Sequence, residues 1–178
     1  LSVNYGTNAL AGTINLITRK GGGRPATLKA SAYAEHIGRL NTTVMLARRW
    51  GRNNVTITGG RNAFSGWDPR EQGIPGFAPQ LADSERYQQW KPREQYFARV
   101  GYRWNSEPWS FGYKGELLHD RIVDRGRPRA PYNETAFDAA YVTQRLDNAL
   151  FMEHRFGKGR RLQAQAAYNT YLRTRNTW

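Results

Sequence analysis

Few of the residue types that perform enzyme chemistry occur in this sequence in a useful arrangement. The chain has no cysteine, and its three histidines, His36, His119 and His154, are far apart in the sequence. Cysteine nucleophiles, disulfides and thiolate metal sites are therefore excluded. Motifs typical of serine hydrolases, zinc proteases and phosphate-binding loops are absent. The sequence predicts no enzyme, no metal site and no cofactor.

Three carboxylates follow one another at a spacing of four residues: Glu116, Asp120 and Asp124. That spacing would place them on one face of a helix. Here, however, the pattern is that of a strand running into a loop, so we interpret them as carboxylates that are either solvated or face the lumen of a barrel. His119, beside Asp120, is read in the same way.

Aromatic and cationic side chains are mixed in two long segments rich in Gly and Pro, residues 65–94 and 124–143. Aromatic faces combined with guanidinium groups suit the capture of an anionic, aromatic or metal-chelate ligand. The alternative is that these loop residues pack on one another or on lipopolysaccharide. The candidate ligand contacts are Trp67, Arg70, Tyr87, Trp90, Arg127 and Tyr132.

The elements that must position these loops are strands. Apolar and polar residues alternate with period two over 96–104, 109–117 and 162–172, and more weakly over 26–36, 42–50 and 54–64. A further strand is predicted over 146–156. No helical periodicity is sustained, so the prediction is an all-β chain of about seven antiparallel strands.

Short turns at 51–53, 105–108 and 157–160 alternate with the long connections. Outer-membrane barrels have this asymmetry, with short periplasmic turns and longer extracellular loops. The connection at 37–41 is an exception, because it falls on the long side yet is short. Strand ends beside the short turns carry aromatic residues, as in the interfacial girdles of membrane barrels. These residues are Trp50, Trp104, Trp109 and Phe156.

The first twenty residues follow a different pattern, with Tyr5-Gly6, then small residues, Gly12, and the run Thr13-Ile-Asn15-Leu-Ile-Thr-Arg-Lys. This segment closely resembles the end of the plug domain of TonB-dependent outer-membrane receptors. One departure is Ala11, where the family usually has a second glycine. The resemblance implies that 1–20 is the C-terminal end of a plug, 21–25 a linker, and 26–178 the N-terminal part of a transmembrane β-barrel.

By this resemblance the chain is a fragment of a receptor in the bacterial outer membrane. The implied function is TonB-coupled import of a scarce, large solute, most often a ferric siderophore, with cobalamin, haem or a glycan as options. The implied partners are TonB, outer-membrane lipid, lipopolysaccharide and a metal chelate or other large solute. The resemblance gives Tyr5, Gly6, Gly12 and Asn15 a structural and gating role.

The formal net charge of +13 calls for an explanation. Nucleic-acid binding is one, but Arg99, Arg103 and Lys114 are predicted to lie on the polar strand faces, which would face a barrel lumen. We therefore expect no nucleic-acid partner, and expect acidic groups on the plug and lipopolysaccharide phosphates to balance the charge. A soluble all-β glycan-binding module and a passive porin are the alternatives.

Overall fold

The computed structural model describes residues 25–67, 88–126, 128–129, 134–135, 137–157 and 159–178. Within these residues all regular structure is β. The strands are β1 (Ala26–Glu35), β2 (Arg39–Trp50), β3 (Asn53–Phe64), β4 (Arg93–Ser106), β5 (Trp109–Asp124), β6 (Pro128–Arg129), β7 (Glu134–Thr135), β8 (Ala139–Arg155) and β9 (Arg161–Thr177). The predicted plug end, including Tyr5, Gly6, Gly12 and Asn15, lies outside the described residues, as does the linker except for Pro25.

Seven of the strands form one open, antiparallel meander in the order β1-β2-β3-β4-β5-β8-β9, and β6 pairs only with β7. Each long strand therefore pairs with its neighbours in the chain, apart from the β6-β7 hairpin inserted between β5 and β8. No described helix has the length and apolar character needed to cross a membrane.

All seven predicted strands are present, and several are longer than expected, with β5 and β8 extending furthest at one end. The alternation after residue 109 was expected to end at 117, whereas β5 continues to Asp124; β8 begins at Ala139 rather than at 146. Both extensions lie where adjacent positions have similar polarity, such as Leu117-Leu118 and Ala139-Ala140. Cross-strand pairing there, Asp124 with Ala139, outweighs the weak local pattern.

The register gives the sheet two chemically distinct faces. Paired residues share a face, so the pairs Ile57–Val100 and Val100–Gly115 place these three residues on the same face of the sheet. We call it the apolar face. Its members are the even-numbered residues of β1, β2, β4, β8 and β9 and the odd-numbered residues of β3 and β5. The other side is the polar face, on which Arg99 pairs with Glu116.

The apolar face has almost no cover within the described residues. The buried hydrophobic residues among those described are Ala47, Ala139 and Ala140, all small, and of these only Ala140 lies on the apolar face. By contrast, Leu28 is 68% exposed and Leu150 is 58% exposed, and both lie on the apolar face. Backbone ladders therefore hold the sheet together, while its large hydrophobic groups remain available for contact with something else.

One end of the sheet carries the short turns and the other the long connections. Residues 51–52, 107–108 and 156–160 form the short-turn end. The long-loop end holds the connections 65–92 and 125–138, together with the tight turn at 36–38 that the sequence had marked as an exception. Ser65 N donates to the carbonyl of Gly38 at 3.1 Å, which ties that tight turn to the start of the first long loop.

The adjacent glycines of β3 make a matched test of this sheet. A Cβ on Gly60 would lie 2.4 Å from the carbonyl oxygen of Thr42 and 2.6 Å from the Phe97 ring, whereas one on Gly59 would meet only the Phe97 carbonyl at 3.7 Å. We expect Gly60→Ala to lower the free energy of unfolding by about 1–3 kcal/mol, because a backbone carbonyl must move. Gly59→Ala should be neutral or slightly stabilising. Urea unfolding of both variants checks this, and equal effects would contradict it.

Candidate functional site

Two of the predicted ligand contacts, Trp67 and Trp90, contact each other. They form an isolated antiparallel bridge in which each backbone N–H donates to the other's carbonyl at 3.0 Å. Their ring centroids are 4.8 Å apart. The pair therefore closes the base of the first long loop. Each indole ring covers part of the other, and Trp90 still has 47% of its surface exposed.

The backbone at this closure depends on one glycine. Gly66 has a φ of +89°, and a Cβ there would lie 2.2 Å from the side-chain oxygen of Gln88. The left-handed backbone favours glycine at this position, and the side-chain amide of Gln88 occupies the space that a Cβ would take. The Nε1 atom of Trp67 is buried and has no hydrogen-bond partner among the described residues.

Below the tryptophan pair, two ion pairs fix the same loop base to β5. Arg93 donates to both carboxylate oxygens of Asp120, at 2.7 and 3.1 Å, and Asp120 is only 7% exposed. Lys91 forms a salt bridge with Asp124. The bidentate geometry favours one orientation of the guanidinium. Asp120 and Asp124, which the sequence suggested were solvated or lumenal carboxylates, lie on the polar face and form ion pairs that the sequence did not indicate.

A cation-aromatic group on the polar face lies at the same end of the sheet. The Arg173 and Arg175 guanidinium carbons lie 5.1 and 5.7 Å from the ring centroid of Tyr141. Tyr141 belongs to the segment 124–143 that the sequence predicts to be a long loop, and neither arginine was among the predicted ligand contacts. Their spacing of two residues in β9, which places them on one face, is the signal that could have identified them.

The remaining predicted ligand contacts, Arg70, Tyr87, Arg127 and Tyr132, lie outside the described residues. The structure therefore brings together Trp67 and Trp90 and leaves these four as predictions.

At the short-turn end, the four predicted girdle residues lie at one level of the sheet, and the register places Trp50, Trp104 and Trp109 on the apolar face. They belong to a wider aromatic row. Trp109 contacts His154, with centroids 4.0 Å apart, and His154 meets Phe156 edge-on at 4.3 Å. Phe111 joins Trp104 at 5.6 Å. His154 and Phe111 had not been assigned to this row.

At the opposite edge of the apolar face, charged side chains form a small network. Arg61 donates to Glu94 through Nε and Nη2, at 3.0 and 2.6 Å. Tyr96 donates its hydroxyl to the same carboxylate oxygen at 2.6 Å. Along β4, the apolar-face positions from Tyr96 to Ser106 carry no charge. An uncharged band thus lies between a polar edge and the aromatic row.

Inside that band, the polar side chains satisfy each other. The Tyr113 hydroxyl donates to Oδ1 of Asn148 at 2.7 Å, passing over Gly115, where a Cβ would lie 2.7 Å from that hydroxyl. Asn148 therefore has a partner within the sheet, as a side chain in an apolar environment requires.

Comparisons of the chain with protein-family models, with curated proteins and with solved structures yield no match. Among the described residues there is also no group of three or more His, Asp or Glu side chains able to hold a metal ion. The arguments about function therefore rest on the faces of the sheet, its two ends and the sequence itself.

The Arg93–Asp120 pair offers a test of the loop base. We expect Arg93→Gln to lower the free energy of unfolding by about 1–3 kcal/mol, because a nearly buried carboxylate loses its charged partner. The control is Arg99→Gln, which breaks the Arg99–Glu116 pair at 3.0 Å, where the two side chains are 55% and 31% exposed. That change should cost less than about 1 kcal/mol. Urea unfolding compares the two, and an equal or smaller effect of Arg93→Gln would refute a structural role for the pair.

Proposed function

We propose that this chain is part of a TonB-dependent outer-membrane receptor that imports a scarce, large solute, most often a ferric siderophore. The observation that carries the proposal is the apolar face, a broad band of exposed hydrophobic side chains lying between an aromatic row and a charged edge. The resemblance of residues 1–20 to the end of a plug domain supports the same assignment.

The dimensions of the apolar face suit a membrane. From Tyr96 to Trp104 in the aromatic row, the uncharged band covers eight residue steps of β4, or about 26 Å of strand. At a tilt of about 40° this spans about 20 Å, close to the roughly 25 Å height of the apolar band on outer-membrane barrels. The seven strands of the sheet are 10 to 17 residues long, which is at least the roughly 9–11 that a membrane crossing needs.

The charges on the apolar face lie where a bilayer would tolerate them. Four residues of this face are charged: Arg48, Arg61, Glu94 and Arg121. Arg48 lies two positions from Trp50 in the aromatic row, and the other three lie at the long-loop edge. Long cationic side chains near an interface extend their charge into the headgroup region.

In the proposed mechanism the long loops face outward and capture the solute. The Trp67–Trp90 closure and the Arg93–Asp120 pair hold the base of the first loop against β5. Movement of the plug, driven by TonB and the proton-motive force, would then admit the solute. These last steps come from the family resemblance, and no bond of the solute is made or broken in them.

The second candidate, a soluble glycan-binding module, needs a second layer over the apolar face. Residues 25–67, 88–126, 137–157 and 159–178 form a single layer instead, and the exposure of Leu28 and Leu150 favours the membrane assignment. Trp67 and Trp90, the residues that would bind glycan, contact each other.

A pair of arginine substitutions on adjacent residues of β3 tests which face meets lipid. Ile57 lies on the apolar face and is 50% exposed, while Thr56 lies on the polar face. We expect Ile57→Arg to destabilise the protein folded in lipid by about 2–4 kcal/mol, the cost of a cation near the bilayer midplane. Thr56→Arg should cost less than about 1 kcal/mol because water reaches the polar face. Urea titration in lipid vesicles measures both, and a harmless Ile57→Arg would exclude lipid contact.

The native gene product gives an independent check. Recovered from an outer-membrane fraction, it should be several times heavier than 20.4 kDa, since a complete receptor of this kind has a plugged 22-stranded barrel. Intact mass and N-terminal sequencing measure this. A water-soluble product near 20.4 kDa would refute the proposal.

A further inference from the structure

Four arginines lie on the polar face at the short-turn end, and we call them the arginine rim: Arg49, Arg103, Arg155 and Arg161. All four are exposed. Arg49 ends β2 next to Trp50, Arg103 precedes Trp104 near the end of β4, and Arg155 ends β8. The aromatic residues that follow lie on the apolar face, so the sequence repeatedly places a cation on one side of this end and a ring on the other.

The carboxylates of the polar face leave most of this rim without a partner. The described strands carry six acidic residues on that face, and each forms a salt bridge with a basic residue nearby. One of them, Glu153, binds Arg155 at 2.8 Å. Arg49, Arg103 and Arg161 have no salt bridge among the described residues. Arg155 and Arg161 are also direct cross-strand partners, and like charges placed opposite each other destabilise a sheet.

Other unpaired cations of this face are mostly stabilised by aromatic rings. The Lys114 ammonium lies 5.2 Å from the centroid of Phe151, and Arg173 and Arg175 lie over Tyr141. Lys29 is an exception. The rim arginines have no such ring contact among the described residues. Three exposed arginines without a salt bridge, Arg49, Arg103 and Arg161, therefore lie at this one end of the polar face.

The width of the rim indicates the size of its partner. Arg49 is on β2 and Arg161 is on β9, five strand spacings apart in the sheet order. At about 4.8 Å per spacing the rim covers about 24 Å. A single small anion could reach one or two of these arginines, whereas an extended polyanion could reach all four.

The surface around the rim favours a polypeptide over a nucleic acid or a lipid. Neighbouring polar-face positions hold small or amide side chains, such as Asn54, Gly112 and Gln163. Single-stranded nucleic acids use aromatic rings as stacking platforms, but the aromatic row lies on the opposite face and Lys114 covers Phe151. Lipid headgroups would approach from the apolar face, where the rings are.

We infer that the arginine rim binds an acidic polypeptide segment that lies along the polar face at the short-turn end. This rests on the proposed function in one respect, because in a barrel the polar face lines the lumen and the rim surrounds its periplasmic mouth. The segment would then enter or close that mouth. Amide side chains beside the arginines would bind its backbone, and its carboxylates would pair with the guanidinium groups.

The test uses the full chain folded in detergent micelles and a fluorescent peptide in which glutamate alternates with serine. The rim variant Arg49→Gln/Arg103→Gln/Arg161→Gln should bind about tenfold more weakly, the scale expected for three exposed charge contacts. The control Arg121→Gln/Arg125→Gln/Arg173→Gln removes the same charge at the long-loop end and should change affinity less than about twofold. Fluorescence anisotropy measures both.

Further measurements test whether binding depends on charge and whether it is specific for a polypeptide. The glutamine version of the peptide should not bind, and binding should fall as salt rises from about 0.1 M to about 1 M and the Debye length shrinks from about 10 to 3 Å. Equal weakening in the control variant, or tighter binding of a single-stranded oligonucleotide of equal charge, would overturn the inference. If the triple variant loses its β-sheet circular dichroism, Arg103→Gln and Arg161→Gln are compared singly with Arg121→Gln.

The two proposals fail in different ways. A chain that folds in water without detergent refutes the membrane receptor, yet the peptide measurement can still be made on it. A chain that folds only in lipid or detergent but gives the same peptide affinity for the rim and control variants refutes the rim alone.

Discussion

The rest of the structure depends on a register that is continuous across seven antiparallel strands. Because paired residues share a face, each strand's alternation adds to its neighbour's only when the register is kept across the whole sheet. Here it is kept through every ladder, from Ala26–Arg48 on one side to Ala139–Thr177 on the other. A broad apolar face, a polar face with paired charges and two unlike ends all follow from that one condition.

The two faces stabilise the sheet by different means. On the polar face, ion pairs such as Arg99–Glu116 join adjacent strands, and the exposed pairs each contribute little alone. The exception is Arg93–Asp120, whose carboxylate is nearly buried. On the apolar face, hydrophobic side chains lie side by side without a covering layer in the described residues. Burying them by contact with lipid would supply the hydrophobic free energy that a packed core supplies in a soluble protein. The sheet alone also leaves β1 and β9 with unpaired edges, which invite association with other strands.

Much of this architecture could be predicted from the sequence because period-two alternation is a local signal. The strand at 96–104 and the location of Trp50, Trp104 and Trp109 at strand ends were read from neighbouring residues alone. The closure formed by Trp67 and Trp90 could not be, since the two residues are 23 positions apart and only the pairing of β3 with β4 brings them together. The same holds for the Arg93–Asp120 pair, which depends on the register of β4 and β5. The local alternation of polar and apolar residues predicts which side chains share a face of the sheet. Pairing between distant strands then determines which of those side chains contact each other.

The order arginine then aromatic ring, repeated at Arg49-Trp50, Arg103-Trp104 and Arg155-Phe156, also bears on how the sheet avoids misassembly. A slip of one residue in any of these three strands would bring a guanidinium to the apolar face and turn a large ring towards the polar one. Both changes are unfavourable, because the guanidinium group would lose its hydration and the apolar ring would become exposed to water. The residues near the end of each of these strands thus disfavour a shifted register, and they do so before any ligand or partner is bound.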